Sequence, residues 1–278
     1  MKIAVTGATG FLGRYLCFRL RKLGYELFEY DSKNLDVTHP VTLPDSIDVL
    51  YHLAGNAKVY LAKKEPFADF KVNALGTLNI LEASRASGIK KIIYTSSDLV
   101  YKNLDFCRES DAVGANEIGG PYGFSKLVGE YYVQYYAEIY SLDYVILRPS
   151  SYYGPGMKKN SVVDIINGFL NENKVDLFHH IDSQIGFIYI EDVVEALVMS
   201  LDWKNEIVNV NTGESVSLGM LYNMVKQIIG YEVPLAYKDE LIRISVDNSK
   251  LRKLGWCQKY SLEEGLKKTI ESFRAKKE

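Results

Sequence analysis

The sequence predicts an α/β protein with a doubly wound, Rossmann-type parallel sheet and a smaller, interleaved C-terminal α/β domain. Three observations carry that reading. A glycine-rich turn, Thr6-Gly7-Ala8-Thr9-Gly10-Phe11-Leu12-Gly13, joins a short apolar strand to a helix with leucines at helical spacing. Strand and helix patterns then alternate as far as Pro149. The strands are near-continuous apolar runs, the pattern of strands covered on both faces.

The first strand is Lys2-Ile3-Ala4-Val5, and the helix after the turn carries Leu12, Leu16, Leu20 and Leu23 on one side. Glycine lets the turn stay tight and lets backbone press against a ligand. The helix N-terminus offers free N–H groups and a partial positive charge to a pyrophosphate. The second strand, Tyr25 to Tyr30, ends at Asp31, where a carboxylate can take a ribose 2′-hydroxyl. Strands follow at 48–53, 91–96 and 143–147, with helices at 67–87 and 122–140. Past Pro149 the rhythm loosens. Helices are expected at 162–171, 192–201, 217–229 and 262–273, and strands at 186–190 and 207–210. The expected division is a dinucleotide-binding domain over 1–150, to which about 185–212 return, and a substrate domain over 151–278. Trp256 and Phe273 are expected in the core of the smaller domain.

Composition bounds the function. The 278 residues have a formal net charge of −2, which gives no basic surface for nucleic acid. Lysines gather at Lys267, Lys268, Lys276 and Lys277, as a solvated helix face would. No apolar run approaches the ~18 residues that suggest a membrane span, and no signal-peptide pattern precedes the first strand. Cys17, Cys107 and Cys257 are few and far apart, as in reduced cytoplasmic proteins. His179 and His180 stand near Asp176 and Asp182, but adjacent histidines point apart and no metal site is expected. His52 ends an apolar strand and reads as a buried, hydrogen-bonded histidine. The chain holds 21 tyrosines. Leu127, Tyr131 and Tyr135 form one stripe of the 122–140 helix, and Tyr132, Tyr136 and Tyr140 form another. Together they exceed what the sheet can cover, which suggests a homodimer through the helices 67–87 and 122–140.

Two clusters carry chemistry. Ile92 to Ser97 puts hydroxyls at the C-terminal end of a parallel strand, where such folds bind ligands. In Pro121-Tyr122-Gly123-Phe124-Ser125-Lys126, Tyr122 and Lys126 lie four apart and share a helix face. An ammonium beside a phenol favours phenolate, so Tyr122 can exchange a hydroxyl proton while a nicotinamide exchanges hydride with the same carbon. Ser97 can hold the substrate oxygen.

With these motifs in this order, the chain resembles the extended short-chain dehydrogenase/reductases, specifically the NAD-dependent epimerase/dehydratase family. The resemblance also covers Leu35-Asp36-Val37, His52 to Gly55, Val72 to Thr77, Val100-Tyr101, Arg148 to Gly156, Phe187 to Val193 and Leu254-Gly255-Trp256. It implies that Gly7, Gly10, Phe11, Leu12 and Gly13 cradle the pyrophosphate of NAD. Asp31 would hold the adenosine ribose, with Asp36 and Val37 beside the adenine. Leu53, Ala54, Gly55, Asn73, Thr95 and Pro149 would line the rest of the cofactor. Ser97, Tyr122 and Lys126 would be catalytic, with Tyr122 and Lys126 also contacting the cofactor and Lys126 on the nicotinamide ribose. Asp31 favours NAD over NADP because a carboxylate repels a 2′-phosphate; Lys33 is the feature that speaks for NADP.

On the substrate side the chain departs from the family. Dehydratases carry Asp-Glu after the catalytic hydroxyl, where this chain has Asp98-Leu99. Ser151 stands where Asn is usual, Gln184-Ile185-Gly186 where Arg is usual, and Arg243 lacks the following Gly-Asp. Asp98, Ser151, Lys158 and Arg243 are the candidate substrate residues. Three functions remain open on this reading. The first is an NAD-dependent epimerase of a sugar, such as a nucleotide sugar; the second is a sugar or carbonyl reductase that releases its cofactor. The third is an NAD-binding sensor, against which the full set of Ser97, Tyr122 and Lys126 speaks.

Overall fold

The structure, a computed structural model, describes residues 1–101, 106–111, 114 and 118–275. Lys276 and Lys277 of the C-terminal basic group lie outside the described residues. The chain packs as two compact units. The first comprises Met1–Lys102, Glu109–Pro149 and Val194–Val210, and the second Asn103–Arg108, Ser150–Val193 and Asn211–Glu278.

The first unit is built on a six-stranded parallel sheet. Its strands are β1 (Lys2–Thr6), β2 (Glu26–Tyr30), β3 (Val49–His52), β4 (Lys91–Thr95), β5 (Asp143–Pro149) and β6 (Glu206–Val210). Their spatial order is β6-β5-β4-β3-β1-β2. The inner strands β3 and β4 are buried at every position, which is why they read as continuous apolar runs. After β2 the chain returns across β1 to start β3, so the direction of winding switches between β1 and β3. The loops after those two strands therefore flank the crevice in which such sheets bind ligands.

Helix α1 (Phe11–Lys22) follows the glycine turn and buries Leu12, Leu16, Cys17 and Leu20. The helix expected over 67–87 is present but is not a uniform α-helix. It comprises α2 (Pro66–Phe70), a π turn (Lys71–Leu75) and α3 (Gly76–Ala86). Pro66 sits in the first turn of α2, where its missing N–H costs nothing. In the π turn the Asn73 carbonyl accepts a 2.6 Å hydrogen bond from the Thr77 hydroxyl. Helix α4 (Pro121–Tyr140) divides the two tyrosine stripes between interior and surface. Leu127 and Tyr136 are buried, and the Tyr136 hydroxyl donates to the Glu82 carboxylate of α3. Tyr131, Tyr132, Tyr135 and Tyr140 stay exposed. Tyr131 and Tyr135 lie around the helix from Tyr136 and point outward, whereas Tyr132 and Tyr140 share its face one turn away and lie at its margin, Tyr140 packing on the Tyr136 ring.

The second unit is assembled from short pieces. Residues 151–153 pair in parallel with 187–189, and 184–185 lie between 216–217 and 243–244. Residues 175–177 pair with 235–237. Its helices include Ser161–Asn167, extended by a π turn, as well as Leu218–Ile229 and Leu262–Arg274. Trp256 is buried and donates its indole N–H to the Asp192 carbonyl at 3.0 Å. Phe273, expected in the core, is only half-buried near the end of its helix. That helix begins with a capping box, in which Ser261 and Glu264 satisfy each other's backbone N–H groups. Ser261→Ala is expected to lower stability by about 1 kcal/mol, read as a shift in the urea midpoint at constant slope. Among the described residues, no helix is long and apolar enough to cross a membrane.

Candidate active site

The site in the first unit begins at the turn between β1 and α1. Gly7 has φ of +71°, and a Cβ there would lie 2.8 Å from the Ala54 backbone nitrogen. Only glycine combines that conformation with so close an approach to the loop after β3. At Gly13 a Cβ would strike the Gly7 carbonyl oxygen and lie 2.8 Å from the Ala8 Cα. The loop thus folds onto the first turn of α1, whose N-terminal N–H groups receive no side-chain cap from Gly10. This cradle fits a pyrophosphate in both shape and polarity. Gly13→Ala is expected to weaken dinucleotide binding about 30-fold, equivalent to roughly 2 kcal/mol of overpacking, measured by calorimetric titration.

The outer wall of the cradle carries carboxylates. Asp31 Oδ1 accepts a hydrogen bond from the Lys33 backbone N–H at 2.9 Å, and such bonds hold its carboxyl below the ordinary range. Asp36 is held low in the same manner by the Thr38 N–H and hydroxyl. Val37, by contrast, is buried against Gly76, where a Cβ would lie 2.9 Å from its methyl.

Below the cradle lies a polar core. His52, fully buried at the end of β3, contacts the Thr6 hydroxyl through Nδ1 at 2.7 Å and the Thr77 hydroxyl through Nε2 at 3.2 Å. Burial, aided by the Lys126 charge, pushes its pKa down to about 3, so the imidazole is neutral. At the C-terminal end of β4, the buried Thr95 and Ser96 hydroxyls have no hydrogen-bond partner among the described residues. Unpaired buried hydroxyls at this edge of the sheet are what an absent polar ligand would satisfy. Ser97 caps the following short turn, accepting from the Leu99 N–H at 3.1 Å and donating toward Asp98 Oδ1 at 3.4 Å.

Helix α4 supplies the pair. Tyr122 is half-exposed in its first turn, and Lys126 is buried one turn on. The Lys126 ammonium sits 4.3 Å from the centre of the Tyr94 ring. A Cβ on Gly55 would lie 3.8 Å from that ammonium and 3.0 Å from Asn73 Oδ1. The loop after β3, the π turn and α4 therefore converge on one point. Burial brings the Lys126 pKa down to about 8, against the opposing attraction of Glu130 and Asp69. At neutral pH the amine is charged, as lowering the pKa of a neighbouring phenol requires.

Several residues that support this site escaped notice in the sequence. Glu130, one turn beyond Lys126, is fully buried and receives Arg148 Nε at 2.9 Å and Nη2 at 2.6 Å. Asp69 on α2 is fully buried and accepts from Ser125 at 2.6 Å and from Asn73 at 3.0 Å. The i,i+4 spacing of Lys126 to Glu130 is the signal that points to Glu130, while the spacing of Asp69 to Asn73 shows only half of the Asp69 contacts.

The other candidates are placed as follows. Leu53, Ala54 and Pro149 lie at the C-terminal ends of β3 and β5, and Asp98 is buried beside Ser97. In the second unit, the Ser151 N–H donates to the Gly186 carbonyl at 3.1 Å. Arg243 is in register with Gln184, so an arginine does stand across from the position where the family pattern has one. Lys158 is exposed beyond the 151–153 strand. His179 lies 3.8 Å from the Glu240 carboxylate and His180 3.5 Å from that of Asp182. Among the described residues, no group of three or more metal-ligating side chains is gathered.

The chain is similar to known proteins along most of its length. The profile described as "NAD dependent epimerase/dehydratase family" matches residues 3–213. A putative UDP-glucose 4-epimerase of Methanocaldococcus jannaschii is 30% identical, over 96% of this chain and 97% of its own. The crystal structure of UDP-glucose 4-epimerase from Thermotoga maritima, with UDP-glucose, superposes with a TM-score of 0.85 at 28% identity, covering 100% of both chains. That of the Thermus thermophilus UDP-glucose 4-epimerase, in complex with NAD, gives 0.84 at 26% identity and 99% of both. The chain belongs to the NAD dependent epimerase/dehydratase family.

Proposed function

We propose that the protein is an NAD-dependent epimerase of a nucleotide sugar, acting at C4 of a UDP-hexose. The observation that carries this reading is the buried Lys126 ammonium, one helical turn from the half-exposed Tyr122 and beside the Gly55 loop of the cradle. When bound, NAD would supply the hydride acceptor for the sugar carbon and, after it, the hydride that restores that carbon. Tyr122, as phenolate, takes the proton of the hydroxyl on that carbon, and the sugar becomes a ketone. Ser97 Oγ hydrogen-bonds the same oxygen and keeps it within reach of Tyr122. Lys126 holds the phenolate form of Tyr122 and takes the nicotinamide ribose. After the ketone turns over, Tyr122 returns the proton to its oxygen.

Asp98 is followed by Leu99, so the Asp-Glu pair of the dehydratase pattern is not present in this chain, and elimination is disfavoured. On the substrate side, Arg243 beside Gln184, together with Ser151 and Lys158, would meet the diphosphate. The UDP assignment is supported by the names of the relatives above. Incubation with UDP-glucose and no added cofactor is expected to yield UDP-galactose, followed by proton NMR of the anomeric region. Recovery of UDP-glucose alone would count against the assignment. Turnover is expected to fall as pH rises through about 8, because Lys126 then loses its proton; a pH–rate profile checks this.

The protein is further proposed to form a homodimer through α2–α3 and α4. Phe67 and Phe70 on the first and Tyr131, Tyr135 and Ile139 on the second are exposed. Aromatic surface of this extent on neighbouring helices is the kind that a second copy covers. Sedimentation showing only monomer at micromolar concentration would contradict it.

A further inference from the structure

We propose that Asp69 is a positioning residue of the active site, whose buried carboxylate clamps the π turn to helix α4 at Ser125, next to Lys126, and acts on that ammonium. The proposal rests on the assignment of Tyr122 and Lys126 as the working pair. Asp69 is fully buried in the five-residue helix α2, and its carboxylate accepts from two neutral side chains. Its two oxygens are divided between two elements. Oδ1 accepts from Asn73 Nδ2 at 3.0 Å, and Oδ2 accepts from Ser125 Oγ at 2.6 Å. Asn73 and Ser125 also contact each other at 3.1 Å, which closes a triangle.

Each corner of the triangle leads into the site. Asn73 Oδ1 accepts the Asn56 N–H at 2.7 Å, and so holds the loop that carries Gly55. Ser125 lies between Tyr122 and Lys126 in sequence, and its hydroxyl also reaches the Tyr122 carbonyl at 2.9 Å. Asn73 occupies the centre of a π turn, a feature that recurs at functional sites. A buried carboxylate that forms only neutral hydrogen bonds is costly unless a positive charge is close by. No ion pair of Asp69 within 4.0 Å exists among the described residues, and the cation that feels its field is Lys126. Among the described residues, the other charged or titratable groups that act on or touch that ammonium are Glu130 on α4, Tyr94 on β4 and His52 on β3, with Tyr122 one helical turn away on α4. Arg148 on β5 is taken up by Glu130.

Two consequences separate positioning from mere packing. Asp69→Asn preserves size and removes the charge, so the Lys126 ammonium should lose its proton at lower pH, by roughly one unit. Ser125→Ala removes one arm of the clamp and keeps the charge. It should leave the lysine midpoint in place and lower kcat roughly tenfold. The experiment is a pH titration of the lysine Cε resonances in protein labelled with 13C-lysine, with Lys126→Arg used to assign the signal. A midpoint near 8 in the wild type that moves down in Asp69→Asn supports the proposal; an unmoved midpoint in the folded variant overturns it. If Asp69→Asn does not fold, Ser125→Ala decides alone, and wild-type turnover in that variant overturns the proposal. The titration needs no sugar, so a protein that epimerises no UDP-hexose would refute the proposed function and leave this inference standing.

Discussion

Tyr122→Phe is expected to reduce kcat by about a thousandfold while leaving the fold and NAD binding intact. The variant loses one oxygen, at a residue that is half-exposed and therefore not part of the packed interior. Without that oxygen, no group on α4 can hold the hydroxyl proton while the sugar is a ketone. General acid–base catalysis of this kind is worth about 10² to 10⁴ in rate, and the lower part of α4 offers no substitute. Lys126 lies one turn away, but its ammonium is charged below about pH 8 and is turned toward the Tyr94 ring. The expected split is therefore in kcat with KM nearly unchanged. Steady-state kinetics with a UDP-hexose checks it, and undiminished turnover would remove Tyr122 as the base.

Glu130→Gln is expected to be the most destabilising single change at the site, at about 3–5 kcal/mol. The Glu130–Arg148 pair is buried on both sides, with side-chain exposures of 0% and 5%. Arg148 also donates to the Tyr101 hydroxyl, which in turn reaches Asn209 Oδ1 at 3.2 Å. Helix α4, the loop after β4 and the strands β5 and β6 thus share one network. Glutamine keeps the shape but leaves the guanidinium uncompensated in the interior, and that stranded charge is where the cost arises. The double variant Glu130→Gln/Arg148→Met is expected to recover part of the loss because no charge is left stranded. Urea denaturation of the three proteins measures both effects. Equal stability of Glu130→Gln and wild type would contradict the buried-pair account.

The contrast between what could and could not be read in the sequence has a physical basis. The sheet was legible because strands buried on both faces, such as Ile92-Ile93-Tyr94, have little room for polar residues. The cradle was legible because glycine is required at Gly7 and Gly13 by close backbone approach, which leaves a local pattern. The Tyr122–Lys126 pair was legible because it sits on a single helix at i,i+4. Asp69 was not, since its partners Asn73 and Ser125 belong to two elements and only folding brings Ser125 to it. The second unit resisted for a different reason. Strands of two or three residues, such as Gln184–Ile185 and Arg243–Ile244, carry no periodicity. Their pairing, which puts Arg243 opposite Gln184, is visible only in three dimensions.

Recycling of the cofactor within the site, without net consumption, is what separates an epimerase from a reductase. Its most direct test is to denature the purified protein and assay the supernatant for nucleotide. An epimerase that returns its hydride to the sugar it came from should release about one NAD per chain, and should interconvert UDP-hexoses with none added. A site that is empty on purification, with turnover that consumes added NADH mole for mole, would contradict the account and identify a net reductase built on the same Ser97, Tyr122 and Lys126.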